Sequence, residues 1–159
     1  MSVYSKILVP YDNSKSSDEA LECAISIAKK SGGKIILLQI IEQISLPPMI
    51  GTPSVRSTKT GEIISMSQLL KELHQELKNE SLTTLQKLVE KYEHIEIPIE
   101  SITQIGYPAE KILDYINHQK INLVVMGMSA LSGISKIATI GSVARRVAEF
   151  SSCPVVLVH

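Results

Sequence analysis

Apolar positions change period along this chain, and each change marks an element. Residues 6–10 (Lys-Ile-Leu-Val-Pro) form a short apolar run, after which Ala20, Leu21, Ala24, Ile25, Ile27 and Ala28 recur at helical spacing. The pattern predicts a strand followed by a helix over residues 14–30. Ser14 or Ser16 is placed to cap that helix, Asp18 and Glu19 suit its first turn, and Lys29-Lys30 before Gly32-Gly33 suits its end. Residues 34–41 read as a second strand, so rich in isoleucine and leucine that both faces must be covered.

From residue 42 to about residue 66 the pattern fails, punctuated by Pro47, Pro48, Gly51, Pro53 and Gly61. A long loop is expected here, and loops of that length in compact domains are usually functional lids or excursions. Leu69, Leu70, Leu73, Leu77, Leu82, Leu85, Leu88 and Val89 then predict a helix over residues 67–92 that packs on a sheet. Ile95, Ile97 and Ile99 alternate with polar residues as a third strand, which Pro98 assigns to a sheet edge. Pro108 pre-sets a helix start after Tyr107, residues 121–126 form a fourth strand, 142–150 a last helix and 154–158 a fifth strand. Alternating strands and helices call for one α/β architecture, a doubly wound five-stranded parallel sheet with strand order 3-2-1-4-5.

A chain of 159 residues with 44% hydrophobic content is long enough for one well-cored domain, taken as residues 1–159. Sixteen basic and sixteen acidic residues cancel, so no global field draws in nucleic acid or an anionic membrane. No apolar stretch approaches the roughly 20 residues of a membrane span. The first strand begins too early for a signal-peptide core, and Cys23 and Cys153 match no metal or redox spacing. The expectation is a cytoplasmic protein with two reduced thiols buried in its core.

In an open α/β sheet the binding crevice lies beyond the carboxyl ends of diverging strands, here the first and fourth. The first ends in Pro10-Tyr11-Asp12-Asn13-Ser14 and the fourth in Met126-Gly127, followed by a loop of small residues and Gly141-Ser142 at a helix start. Glycines let backbone approach an anion, and a helix N-terminus supplies unpaired N–H groups and a positive dipole end. Asp12 can accept from a ribose hydroxyl or a base; it can equally be a turn or cap residue. Lys136, Arg145 and Arg146 form a modest basic group nearby, for which a solvated helix face is the competing reading.

Other chemistries lack their residues. Neither G-x-x-x-x-G-K-[ST] nor G-x-G-x-x-G occurs, and Gly32-Gly33-Lys34 is a helix stop. His74, His94, His118 and His159 show no ligand spacing, and Ser129, Ser132, Ser135 and Ser142 sit in no nucleophile motif. With no base placed for an attacking water, hydrolysis of any bound ligand is expected to be slow at most.

Four separated segments resemble the universal stress protein family: Lys6-Ile-Leu-Val-Pro-Tyr-Asp-Asn-Ser14, Gly106-Tyr-Pro-Ala-Glu-Lys-Ile112, Asn122-Leu-Val-Val-Met-Gly127, and Ser142-Val-Ala-Arg-Arg-Val147 with Cys153-Pro-Val-Val-Leu-Val158. The resemblance implies an adenine nucleotide alpha hydrolase-like sheet, a regulatory homodimer paired through residues 154–158, and ATP or AMP as ligand, with Mg2+ an optional companion. It implies adenine contacts from Asp12 and from backbone near Pro10 and Ile40, and phosphate contacts from Gly127, Gly141, Ser142 and Val143, with Met126 beside them. The nucleotide-binding branch carries G-x2-G-x9-G-[ST]; here Ala130 takes the second glycine's place, and thirteen residues rather than twelve separate Gly127 from Gly141. Gly133 is the residue available to bend that loop instead. The alternative is a dimeric scaffold of the same fold that binds no nucleotide; an adenylate-forming enzyme is a weaker third, because no glycine-rich loop follows the first strand.

Overall fold

The computed structural model describes residues 3–47, 51, 53–128 and 140–159. Its elements are β1 (Lys6–Pro10), α1 (Lys15–Ser31), β2 (Lys34–Glu42), β3 (Ser54–Arg56), β4 (Ile63–Ser65), α2 (Met66–Lys91), β5 (Ile99–Gly106), α3 (Pro108–Gln119), β6 (Leu123–Gly127), α4 (Ser142–Phe150) and β7 (Val155–Val158). The main sheet is five-stranded and parallel, ordered β5-β2-β1-β6-β7. With the β3–β4 hairpin set aside, this is the expected 3-2-1-4-5.

The continuous apolar strands are explained by the two cores they separate. Ile7, Val9, Ile35, Leu37, Leu123 and Val125 pack with the buried faces of α1 and α2, while Leu8, Ile36, Leu38, Val124 and Met126 pack with α3 and α4. Successive residues point to opposite faces of a strand. The two thiols are free, as expected, but only half-buried rather than fully in the core. Cys23 borders the first core and Cys153 the second, so the sheet stands between them.

Helix ends follow the local chemistry. Ser14 caps α1, its side chain accepting from the Ser17 amide at 3.1 Å, and Gly32 ends the helix in the left-handed conformation at φ 69°. Ser65 caps α2 in the same way through the Gln68 amide. Gly33 is required for a different reason: a Cβ there would stand 2.0 Å from the Tyr4 carbonyl oxygen, where the chain crosses the start of β1.

Two expectations are corrected. The third strand is Ile99–Gly106, not residues 95–99, and Pro98 lies just before it, its carbonyl accepting from the Ile35 amide at 2.9 Å. The segment Glu-Ser-Ile-Thr-Gln-Ile-Gly is too polar to announce itself as a strand, because β5 is an edge strand and much of it stays half-exposed. Within the expected patternless loop, Ser54–Arg56 and Ile63–Ser65 pair as an antiparallel hairpin. Its turn is held by the Arg56 guanidinium on the Gly61 carbonyl and by the Ser57 hydroxyl on the Lys59 and Thr60 amides, and Lys59 pairs with Glu76 of α2. These contacts are local, so hydrophobic periodicity does not report them.

One buried polar cluster joins α2 to the edge of the sheet. The Ser81 hydroxyl donates to Gln39 Oε1 at 2.8 Å and lies 2.9 Å from Thr103 Oγ1; having one proton, it must accept from Thr103. Ser81→Ala leaves two buried groups without partners, and denaturant unfolding is expected to show a loss of about 1–3 kcal/mol.

Two tyrosines pin α1. The Tyr11 hydroxyl donates to Asp18 and the Tyr92 hydroxyl to Glu22. Burial first, then these carboxylate bonds, pushes Tyr11 well above its ordinary 10.0 and Tyr92 up to about 12. Both phenols hold their protons more tightly folded than unfolded. Their contribution is therefore complete below pH 10 and declines as pH rises from about 10 towards 12 and beyond. Unfolding measured across that interval is expected to show falling stability, with a shallower fall in Tyr92→Phe; a flat profile would refute this account.

Candidate nucleotide site

The sheet's switch point lies between β1 and β6, where the chain leaves one strand for each side. The last backbone bond joining β1 to β2 runs from the Tyr11 amide to the Leu38 carbonyl at 2.9 Å. In a parallel ladder alternate residues address the same neighbour, and Ile35 addresses β5 through Pro98. Ile40 therefore points its N–H and C=O towards the β1 side, beyond the end of β1, and neither has a backbone partner among the described residues. An unpaired donor and acceptor side by side match the edge of a purine.

The opposite wall is built by β6 and α4. Gly141 is the N-cap of α4 and offers no side chain, so the amides of Ser142, Val143 and Ala144 have no capping bond among the described residues. The first turn of α4 carries no acidic residue either, unlike α1 with Asp18 and α3 with Glu110. An uncapped, uncountered helix N-terminus is an anion site in waiting. The Gly141 amide is itself anchored on the Met128 carbonyl, and the Met128 amide on Val158, which ties the turn to the sheet's last strand.

Between these walls is a cavity of about 230 Å³. Pro10, Asp12, Ile40, Met126, Gly127, Gly141, Ser142 and Val143 are among the residues that line it. Eight residues picked out in the sequence thus meet in one space. Ala130 and Gly133, also picked out, lie outside the described residues, as does Lys136. Arg145 and Arg146 are exposed on α4 and do not line the cavity.

Sequence reading did not pick out Tyr11, Ser14, Ser17, Leu38, Pro108, Ile112, Met128 and Ala144 as site residues, and these also line it. Leu38 and Ile112 read only as core, and Pro108 only as a helix start; their place at the crevice follows from strand register and from how α3 crosses the sheet. Asp12 is exposed and already has a local task, since its Oδ1 accepts from the Ser14 amide at 3.0 Å while Asn13 takes φ 63°. That Asx turn aims the end of β1 into α1. Asp12 is the one charged side chain among the lining residues described.

Gly127 has a packing reason beyond any ligand. A Cβ there would lie 2.2 Å from Ser16 Oγ and 2.8 Å from the Ser16 carbonyl carbon, so only glycine lets β6 pass the first turn of α1. Ser16 Oγ is buried and has no hydrogen-bond partner among the described residues. Nor do the described residues hold a cluster of three or more metal-ligating side chains. His74 and His118 are instead engaged with backbone, at Ile44 and Asp114.

Comparison with known proteins agrees with this architecture. A universal stress protein of Methanocaldococcus jannaschii is 33% identical over 98% of this chain and 82% of its own length. Among solved structures, a universal stress protein from Lactobacillus plantarum superposes with a TM-score of 0.78 at 20% identity, covering 98% of both chains. A universal stress protein in complex with cAMP gives 0.66 at 24% identity over 99% of both chains. An Arabidopsis thaliana family member with AMP bound gives 0.61 at 19% identity, covering 97% of this chain and 90% of its own. The model of the universal stress protein family matches residues 3–159, and the chain belongs to that family.

Proposed function

We propose that this protein binds an adenine nucleotide, ATP or AMP, in the crevice between β1 and β6, and that it works in the cytoplasm as a ligand-responsive regulatory homodimer. The observation that carries the reading is the pairing, across one cavity, of the unpaired Ile40 backbone with the uncapped N-terminus of α4. The base lies on Pro10 and Ile40, Asp12 accepts from the ribose, and Gly127, Gly141, Ser142 and Val143 surround the phosphates. Ala130 and Gly133, which lie outside the described residues, are further candidate phosphate contacts. The cAMP and AMP held by two similar structures support the choice of an adenine ligand. ATP would arrive with Mg2+, held chiefly by its own phosphates, since Asp12 is the one carboxylate among the described residues that line the cavity.

A second reading, a dimeric scaffold of the same fold without nucleotide, is favoured by one observation: Asp12 is already occupied in its turn. Calorimetry with ATP–Mg2+ and AMP, together with native mass spectrometry of the purified protein, separates the two. One nucleotide per chain is expected, with affinity falling about tenfold or more in Asp12→Ala. No bound nucleotide and no heat from either ligand would leave only the scaffold.

The dimer is proposed from β7. Val155, Val156, Leu157 and Val158 are all half-exposed, and the strand pairs only with β6 among the described residues. An uncharged edge with an open row of backbone donors and acceptors invites a second copy. Sedimentation at micromolar concentration is expected to give a dimer mass; a monomer mass would contradict this assignment.

A further inference from the structure

One residue links the last strand of the sheet to the start of α4. The Val158 carbonyl accepts from the Met128 amide at 2.7 Å, and the Met128 carbonyl accepts from the Gly141 amide at 2.9 Å. Val158 ends β7 and Gly141 is the N-cap of α4, so two backbone bonds in series lead from the edge of the sheet to the amides of Ser142 and Val143. Met128, Gly141, Ser142 and Val143 all line the cavity.

Strand parity says which groups of β7 are left for another chain. The Pro154 carbonyl accepts from Val124 of β6, as the Val158 carbonyl does from Met128, and alternate residues of a parallel strand address the same neighbour. Pro154, Val156 and Val158 therefore face β6, while Val155 and Leu157 turn their N–H and C=O groups to the open edge. A second copy laid antiparallel can exchange bonds at both, Val155 with Leu157 of the partner subunit and the reverse, which sets Val156 opposite its own counterpart. Val158, which holds Met128, follows directly on Leu157.

We infer, on the reading of the crevice as a nucleotide site and of β7 as the dimer edge, that a second copy on β7 and a nucleotide on α4 strengthen each other's binding through the Val158–Met128–Gly141 relay. Among the described residues β7 pairs only with β6, and a strand end held from one side opens more readily than one held from both. A partner bonded at Leu157 steadies Val158, and with it Met128 and Gly141. A phosphate then meets α4 amides that are already ordered, and less conformational freedom is lost on binding. The linkage is reciprocal: the factor by which the partner raises nucleotide affinity is the factor by which nucleotide raises dimer affinity. No change of shape is required.

The test uses the full chain with AMP as the probe. Sedimentation across a dilution series is expected to give a dimer dissociation constant about fivefold lower, or more, with saturating AMP. Val155→Pro removes only an N–H that faces the open edge, and Val156→Lys sets like charges opposite each other; neither residue lines the cavity. Each variant is expected to stay folded by circular dichroism, to sediment as a monomer and to bind AMP about fivefold or more weakly than the parent. In the parent without nucleotide, hydrogen exchange at the Met128 and Gly141 amides is expected to slow as concentration rises through dimerisation. If the dimer forms and AMP binds, but AMP leaves the dimer constant within error and the monomeric variants bind as the parent does, the relay is refuted and both underlying readings stand. Coupling without slower exchange at those two amides also refutes the relay, because the route then lies elsewhere. A parent that never dimerises overturns the relay together with the β7 assignment and leaves the nucleotide site; a parent that binds no AMP overturns it together with the site and leaves the dimer.

Discussion

The end of β1 is the constraint on which the rest depends. β2 continues for four residues beyond Leu38, whereas the pairing of β1 with it stops at Tyr11. Backbone polar groups in a half-buried setting require partners, so the stretch around Ile40 must be satisfied by water or by a ligand. The Asp12-Asn13-Ser14 turn enforces that early stop by diverting the chain into α1, with Asn13 in the left-handed region and Ser14 capping the helix. A longer β1 would fill the crevice with its own backbone.

The other wall depends on how closely β6 approaches α1. Gly127 against Ser16 sets that approach, and α4 then starts with an N-cap that has no side chain. Glycine thus serves two separate purposes here: close packing at Gly127 and an open helix end at Gly141. Neither purpose needs a cation, and no lysine, arginine or histidine is among the described residues that line the cavity. Neutral donors fixed by helix and sheet are organised before a ligand arrives.

Much of this was legible in the sequence, for physical reasons that can be named. Strands buried on both faces are nearly pure aliphatic, so β1, β2 and β6 stand out. Helix starts carry their own chemistry: Ser14 and Pro108 mark two of them and Gly141-Ser142 a third. That residues at the strand ends line a cavity followed from the topology, because an α/β sheet places its crevice at the switch point. What escaped detection was structure held by local polar contacts or by long-range register. The polar edge strand β5 and the β3–β4 hairpin have no hydrophobic period to read, and the cluster of Gln39, Ser81 and Thr103 joins residues up to 64 positions apart. Leu38 and Ile112 were visible as core residues, but their edge on the cavity depends on how α3 crosses the sheet.

The central claim is that backbone groups at two places, the edge of β2 and the start of α4, together recognise one nucleotide. Amide chemical shifts followed by NMR during titration with AMP address both at once. The account predicts saturable shifts that are largest at Ile40, Ser142 and Val143 and that share a single dissociation constant. Shifts confined to one wall, or centred away from the crevice, would contradict it.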